Sequence, residues 1–580
     1  MGFVLDLATR LRDEGGSLKK CCDRYSAVSS VFSAERLLFQ PVPAGADAVP
    51  LIFAFPNEYT VGITSLGYQV VWSTLMANPA VEVSRLFTDV QESLPSEPEL
   101  LGFSLSWELD YANVLELLER LDVPLWASDR TEQHPLVFGG GSVLTANPEP
   151  FAEFFDVVLL GDGETLLDTF IAAYQDIRGA SRLEQLRHLA KIPGIYVPSL
   201  YAVEYMDMEG AIAQIQPTDT SIPVQVEKQT YRGNVLSAST VVTEHAAWEN
   251  IYMVEVVRSC PEMCRFCLAS YLTLPFRTAS VEASLIPAIE RGVEVTNRLG
   301  FLGASITQHP EFETLLDWIN QPKYDDVRLS LASVRTNTVT EKLAKTLVAH
   351  DSRSVTIAVE TGSDRLRRVI NKKLETAEIA EAAVRAKAGG LSSLKLYGMV
   401  GIPQEMPEDL DATVEMMLAL KKAAPGLRLT LGCSTFVPKA HTPFQWFGVN
   451  AQAEKRLKLL QKKLRPQGID FRPESYNWSV IQALISRGDR RLAPLLERVR
   501  HYGDTLGSYR RAFKDLRGQL PPLDYYVHSD WELDQTLPWE HLRGPLPKAT
   551  LLKHRESALA EGGDGAIAQN EETAKPALSH

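Results

Sequence analysis

Cysteine is scarce in this chain: six residues among 580. Six, unevenly spread, are too few for the disulfide framework of a secreted protein. No stretch of about 18 apolar residues occurs, which excludes an apolar membrane-spanning helix. The first twenty residues (MGFVLDLATRLRDEGGSLKK) meet charges before any long apolar run, so no secretory signal is expected. Positive charge is also short overall. The net charge of -14 disfavours a protein that binds polyanions over its whole surface. A reducing compartment, the cytoplasm, is the expected location.

What is present is organised. Residues 1–45 read as a leader with a short helix. Over 46–185, short apolar runs (VPLIFAF, VEVSRLF, ELLGFSLS, LVFGGG, DVVLLG) alternate with helical patterns. That alternation predicts a parallel, doubly wound α/β sheet, whose ligand sites lie beyond the strands' carboxyl ends. Residues 186–240 are Pro- and Gly-punctuated β-like pieces and read as a connector. Over 241–450 a second alternation carries six strand candidates: IYMVEVV, GFLGASI, VRLSLAS, SVTIAVE, SLKLYGMV and LRLTLGCSTFV. Six β/α units predict a partial (β/α)6 barrel, with its chemistry at the carboxyl ends of the strands. Residues 451–548 read as a helical, basic C-terminal region, with 16 Lys/Arg against 7 Asp/Glu over 453–518. Residues 549–580 are rich in Ala, Gly and Glu and read as a disordered tail.

Three of the six cysteines fall in one short segment, SCPEMCRFCLAS, directly after the first strand of the second array. Cys260, Cys264 and Cys267 have C-x3-C-x2-C spacing, with which one loop can offer soft thiolates to three irons of a cubane. Three ligands rather than four leave one iron open to chelate a substrate. A structural zinc site is the competing reading and needs a fourth ligand from His245, His309 or Cys433. Three inert buried thiols are the weakest reading. Cys433, within an apolar strand, reads as core.

With Phe266 just before the last cysteine, this segment resembles the signature of the radical S-adenosylmethionine superfamily, over about residues 245–445. The resemblance implies a 4Fe-4S cluster whose open iron binds the methionine part of S-adenosylmethionine. It implies reductive cleavage to a 5′-deoxyadenosyl radical for C–H activation, with methyl transfer or macromolecule modification as candidate outcomes. It also implies an electron donor such as a flavodoxin or ferredoxin. Gly303-Ala304-Ser305 resembles the turn that receives the methionine amino group, without the family's acidic residue. Glu360 resembles the polar cofactor contact after the fourth strand, and Gly401 in MVGIPQE the turn beside the adenine. Gly362 and Gly401 are equally explained as turn glycines, and Glu360 as a helix cap. Arg335, ending the third strand, is read either as a contact for the cofactor carboxylate or as a surface ion pair. No catalytic acid, base or nucleophile is identified.

The first domain resembles the cobalamin-binding, flavodoxin-like domains that precede some enzymes of this superfamily. Gly139-Gly140-Gly141 and Gly161-Asp162-Gly163-Glu164 resemble their nucleotide-side turns. The cobalt-ligating pattern Asp-x-His-x-x-Gly appears instead as Asn57-Glu58-Tyr59-Thr60-Val61-Gly62, and Ser104-Leu105-Ser106 half matches the serine-x-leucine element. Cobalamin without a protein ligand and a scaffold that has lost it are balanced readings. FVPKAHTPFQW, SRGDRRLAPLLE and LPWEHL resemble a poorly characterised group with this architecture. The first of these holds His441, read as an ordinary loop histidine. For the basic region, RNA contact through phosphate pairing is less favoured than a solvated helical face. A non-catalytic iron–sulfur electron-transfer or binding protein remains the alternative function.

Overall fold

The computed structural model describes residues 30–563; Cys21 and Cys22 lie outside them. The first sheet is built from β1 (Val49–Ala54), β2 (Val81–Leu86), β3 (Leu100–Ser104), β4 (Leu136–Gly140), β5 (Val157–Leu159) and β6 (Ile195–Tyr196), in the order β2-β1-β3-β4-β5-β6. Five strands are parallel and β6 is antiparallel. The order 2-1-3-4-5 is the flavodoxin-like one, with its crevice where the order reverses. Both faces are covered by helices, so these strands are apolar throughout: Leu51, Ile52, Leu100, Leu101 and Val137 are all buried. β6 comes from the stretch expected to be a connector. The remainder of that stretch includes a hairpin, Tyr201–Tyr205 against Ile212–Pro217.

The second array begins with β7 (Ile251–Glu255), β8 (Arg298–Leu302) and β9 (Arg328–Leu331), and continues with β10 (Ser354–Glu360), β11 (Ser393–Val400) and β12 (Arg428–Thr435). All pair in parallel, and a bridge from Val334 to Ile357 joins the two halves. The six expected strands are present. One face packs Leu394, Leu396, Leu431 and Cys433 against the helices, so Cys433 is core. The other face, with Lys395, Tyr397, Thr430 and Ser434, stays half-buried and polar.

Two expectations need correcting. The C-terminal region is helical as expected but also supplies a seventh parallel strand, β13 (Asp470–Pro473), beside β12. Only Phe471 of its four residues is buried, which leaves no alternation to read. The expected disordered tail begins as a helix, Lys548–Gly562, with Leu551 and Ala558 buried. Its Ala-, Leu-, Lys- and Glu-rich sequence is that of a strong helix former. The rest of the tail, 564–580, lies outside the described residues.

Candidate active site

The loop carrying Cys260, Cys264 and Cys267 leaves the carboxyl end of β7 after a short antiparallel pairing of Val257–Arg258 with Arg277–Thr278. Ser259 and Met263 take left-handed backbone conformations (φ 70° and 57°), uncommon for residues with a side chain. The loop is held by the helix Asp364–Val369. Arg265 donates to the carbonyls of Arg368 (2.8 Å) and Val369 (2.7 Å), so its guanidinium caps the helix C-terminus, where positive charge is favoured. Asn371, just past that helix, donates to the carbonyls of Glu262 (3.1 Å) and Met263 (2.8 Å).

Cys264 is buried, Cys260 and Cys267 are half-buried, and all three are free thiols. Burial pushes Cys264 up to about 12 and Cys267 upward, because a lone thiolate is poorly solvated there. Cys264 Sγ lies 3.8 Å from the Asn371 carbonyl. Among the described residues no group of three His, Cys, Asp or Glu side chains could hold a metal ion. A cubane takes each thiolate on a different iron. Three soft donors on one pinned loop therefore fit a cluster.

The other sequence candidates surround this loop. Phe266 packs with Leu366, Ile370 and Phe436 and seats the loop in an apolar cluster. At Gly303, which opens the turn after β8 at φ 147°, a Cβ would stand 2.6 Å from the Val257 carbonyl, so only glycine allows this approach. Ala304 is exposed. Glu360 ends β10 at a register shift with φ 65°, and its carboxylate meets Lys372 at 3.0 Å. Gly401 has φ 73°, and its amide donates to Glu405 (2.7 Å). Burial pushes the Glu405 carboxyl up to about 7, opposed by the Arg456 guanidinium and this amide. Glu405 thus secures its own turn. A Cβ at Gly362 would stand 2.3 Å from Thr413 Cα, so that glycine serves helix packing. Arg335 pairs with Glu262 of the cysteine loop (2.9 Å). Sequence reading missed Glu262, Arg265, Asn371 and Lys372. Glu262 and Arg265 lie within the cysteine segment itself, and the only local signal of Asn371 and Lys372 is a short polar run, NKK, after a helix.

The carboxyl edge of the first sheet is different. Tyr59, in the histidine's place, is buried and donates to Glu35 (2.7 Å). Glu35 pairs with Arg85, which stacks 3.9 Å over Trp72. A Cβ at Gly141 would stand 2.5 Å from the Leu105 carbonyl, and one at Gly161 2.0 Å from that of Gln229. At Gly139 the neighbours are the Leu144 and Phe155 side chains. Of the expected nucleotide-side turns, Gly139, Gly141 and Gly161 face the chain's own packing, whereas a Cβ at Gly140 or Gly163 would meet its nearest atom only at 3.7 or 3.4 Å. Asp162 pairs with Arg277 and Arg258, and Glu164 with Arg258 (2.6 Å), so this turn clamps the first domain to the barrel. Glu108, beyond β3, is buried against Lys439 and Ser486. His441 is buried at φ 59°, and burial lowers it to about 4. This set does not fit cobalamin as the Asp-x-His pattern holds it.

Much of the basic surplus of 453–518 is also spent internally. Arg456 pairs with Glu405, Arg490 with Glu149, and Arg491 with Asp489. Arg487 donates to the Tyr526 carbonyl (2.8 Å) and stacks 3.9 Å over Trp531. Arg510, Arg511, Lys514 and Arg517 remain exposed. No helix among the described residues is long and apolar enough to cross a membrane.

Comparison with known proteins matches residues 254–417 to the family described as Radical SAM superfamily, and 67–198 to Radical SAM proteins, N-terminal. An uncharacterised protein of Methanocaldococcus jannaschii is 26% identical over 447 residues, covering 76% of this chain and 89% of its own. An uncharacterised methyltransferase of Pyrococcus horikoshii is 28% identical over 169 residues, 28% of this chain and 36% of its own. Among solved structures, the radical S-adenosylmethionine methyltransferase TsrM from Kitasatospora setae, with cobalamin and a 4Fe-4S cluster bound, aligns with a TM-score of 0.49. It is 14% identical and covers 81% of this chain and 99% of its own.

Proposed function

This chain belongs to the radical S-adenosylmethionine superfamily and is an enzyme of it, and on that premise we propose that Cys260, Cys264 and Cys267 hold three irons of a 4Fe-4S cluster. The observation that carries the assignment is the placement of three free thiols on one pinned loop at the carboxyl end of the first barrel strand. When bound, such a cluster supplies the electron that splits S-adenosylmethionine into methionine and a 5′-deoxyadenosyl radical, which abstracts hydrogen from substrate.

The chain's own residues position and enclose. Arg265 and Asn371 fix the loop, and Phe266 seats it. The turn Gly303-Ala304 offers backbone groups to the amino-acid part of the cofactor. Glu360 offers a carboxylate, and the Gly401 turn lies on the adenine side. The helix Lys548–Gly562 adds Ala558 and Leu559 to the apolar cluster around Phe266 and so keeps water from that side. A flavodoxin or ferredoxin is the fitting electron donor, and free thiols suit a reducing cytoplasm. Because the Pyrococcus relative is described as a methyltransferase, methyl transfer is the first reaction to test. No step is derived through cobalamin.

The deciding experiment is anaerobic reconstitution with iron and sulfide, reduction by dithionite and addition of S-adenosylmethionine, with 5′-deoxyadenosine read by mass spectrometry. Formation of 5′-deoxyadenosine is expected. An intact, reduced cluster without that product favours a non-catalytic electron-transfer protein and overturns the proposal.

A further inference from the structure

Lys372 is a largely enclosed cation beside the cysteine loop. It directly follows Asn371, whose carbonyl touches Cys264 Sγ at 3.8 Å. Asn371 has φ 55° and ties its side chain to the cysteine loop, so the backbone carrying Lys372 is fixed against that loop. The Lys372 amide donates to the Arg367 carbonyl at 2.7 Å. Its ammonium meets one partner, Glu360, at 3.0 Å, with 13% of the lysine side chain exposed. Burial alone would lower this lysine, but the Glu360 carboxylate offsets it and keeps the ammonium charged. A buried charge is costly. This one sits where negative charge would gather if the thiols held a cluster.

Resting on the three-cysteine assignment, we propose that Lys372 is a positioning residue that makes the cluster easier to reduce, and that Glu360 sets how strongly it does so. Reduction adds one electron, from the 2+ to the 1+ state, taken here from dithionite. A fixed positive charge beside the thiolates favours the more negative state. At an effective interior dielectric of about 20, a charge even about 10 Å from the cluster is worth roughly a factor of ten. Glu360 returns part of it. The pair therefore makes opposite predictions for its two members, which a purely structural role does not.

The test is a redox titration of the reconstituted full-length protein without S-adenosylmethionine, following the reduced cluster by electron paramagnetic resonance. Lys372→Met is expected to lower the reduced-to-oxidised ratio about tenfold at a fixed solution potential, a shift of about 59 mV to more negative values. Glu360→Gln, leaving the ammonium unbalanced, is expected to shift the midpoint the other way. Lys373→Met removes an exposed neighbour that solvent screens and is expected to leave the midpoint in place. If Lys372→Met fails to hold iron, Lys372→Arg is expected to restore both iron and midpoint, and Glu360→Gln still carries the sign. An unchanged midpoint in Lys372→Met with full iron content, or shifts of the same sign in both partners, overturns the inference. Failure of the unaltered protein to assemble any cluster overturns the three-cysteine assignment instead.

Discussion

The two parallel sheets of this chain present their carboxyl edges to one another, yet the edges differ in what their polar groups face. At the barrel edge, thiols, a carboxylate and an ammonium are gathered around one loop, and the inner strand face with Lys395, Tyr397 and Ser434 stays half-exposed. At the first sheet's edge the charged groups reach across to other elements: Asp162 to Arg277, Glu164 to Arg258, Glu108 to Lys439. Its tightest glycines, Gly141 and Gly161, admit the backbones of Leu105 and Gln229. The same β/α architecture thus holds the cysteine loop on one edge and a docking surface for that loop's domain on the other. Motif resemblance cannot separate these uses, because a glycine turn looks alike whether it faces a phosphate or a peptide.

The largest expected effect breaks the barrel edge. Cys264→Ala removes the most buried of the three thiols, so both the brown chromophore of the reconstituted protein and 5′-deoxyadenosine formation should vanish. Visible spectra, iron analysis and mass spectrometry check this together, and product surviving the change would end the cluster assignment. Next comes the clamp. Asp162→Ala leaves the nearly buried Arg277 without its carboxylate, and losing one partner of such a pair costs about 3 kcal/mol. A urea unfolding series should show that loss. A change below about 1 kcal/mol would mean the turn does not clamp the domains.

These contrasts mark how far the sequence could be read. The parallel strands β1–β5 and β7–β12 were legible because buried parallel strands are apolar runs, and the cysteines because their spacing is local; the two-residue antiparallel β6 was not. β13 was not, since only Phe471 in it is buried. The helix Lys548–Gly562 was not, since a polar helix docked by a few residues shares its composition with a disordered tail. The partners of the candidate site were hidden for another reason. Glu262 meets Arg335, Cys264 meets Asn371, and Gly161 meets Gln229 across 68 to 107 positions of sequence, and no local pattern encodes such pairings. Tyr59 was noticed only as a departure from a motif; its tie to Glu35 and Arg85 appears in three dimensions alone.

Where the edges meet, pH provides a third test. His441 and His541 are buried, His541 beside Glu149, Tyr196 and Tyr201 on the first domain's side, and burial lowers each to about 4. The unfolded chain protonates them below about 6.5 while the folded one does not, so their contribution is complete above pH 6.5 and is lost as pH falls toward 4. Each contributes up to about 3 kcal/mol across that window. Glu405, raised to about 7, has the opposite slope between about 4.5 and 7. The comparison must therefore be made between the parent and His541→Gln, whose urea midpoint should fall less on acidification. Equal slopes would show that His541 does not carry this dependence.

The smallest effect decides what Tyr59 is for. Its hydroxyl makes a 2.7 Å bond to Glu35, and Glu35 keeps both oxygens on Arg85 when that hydroxyl is gone. Tyr59→Phe therefore leaves no charge stranded, and the ring still packs edge-on against Phe32 and Phe87. A hydrogen bond to a carboxylate is worth about 1.5 kcal/mol or somewhat more, so a lower urea midpoint is expected. The rate of 5′-deoxyadenosine formation per cluster should match that of the parent. A structural tyrosine predicts this pairing of small stability loss with unchanged chemistry. A tyrosine serving a bound cofactor predicts the reverse, and a loss of turnover at unchanged stability would reopen the first sheet's edge as a working site.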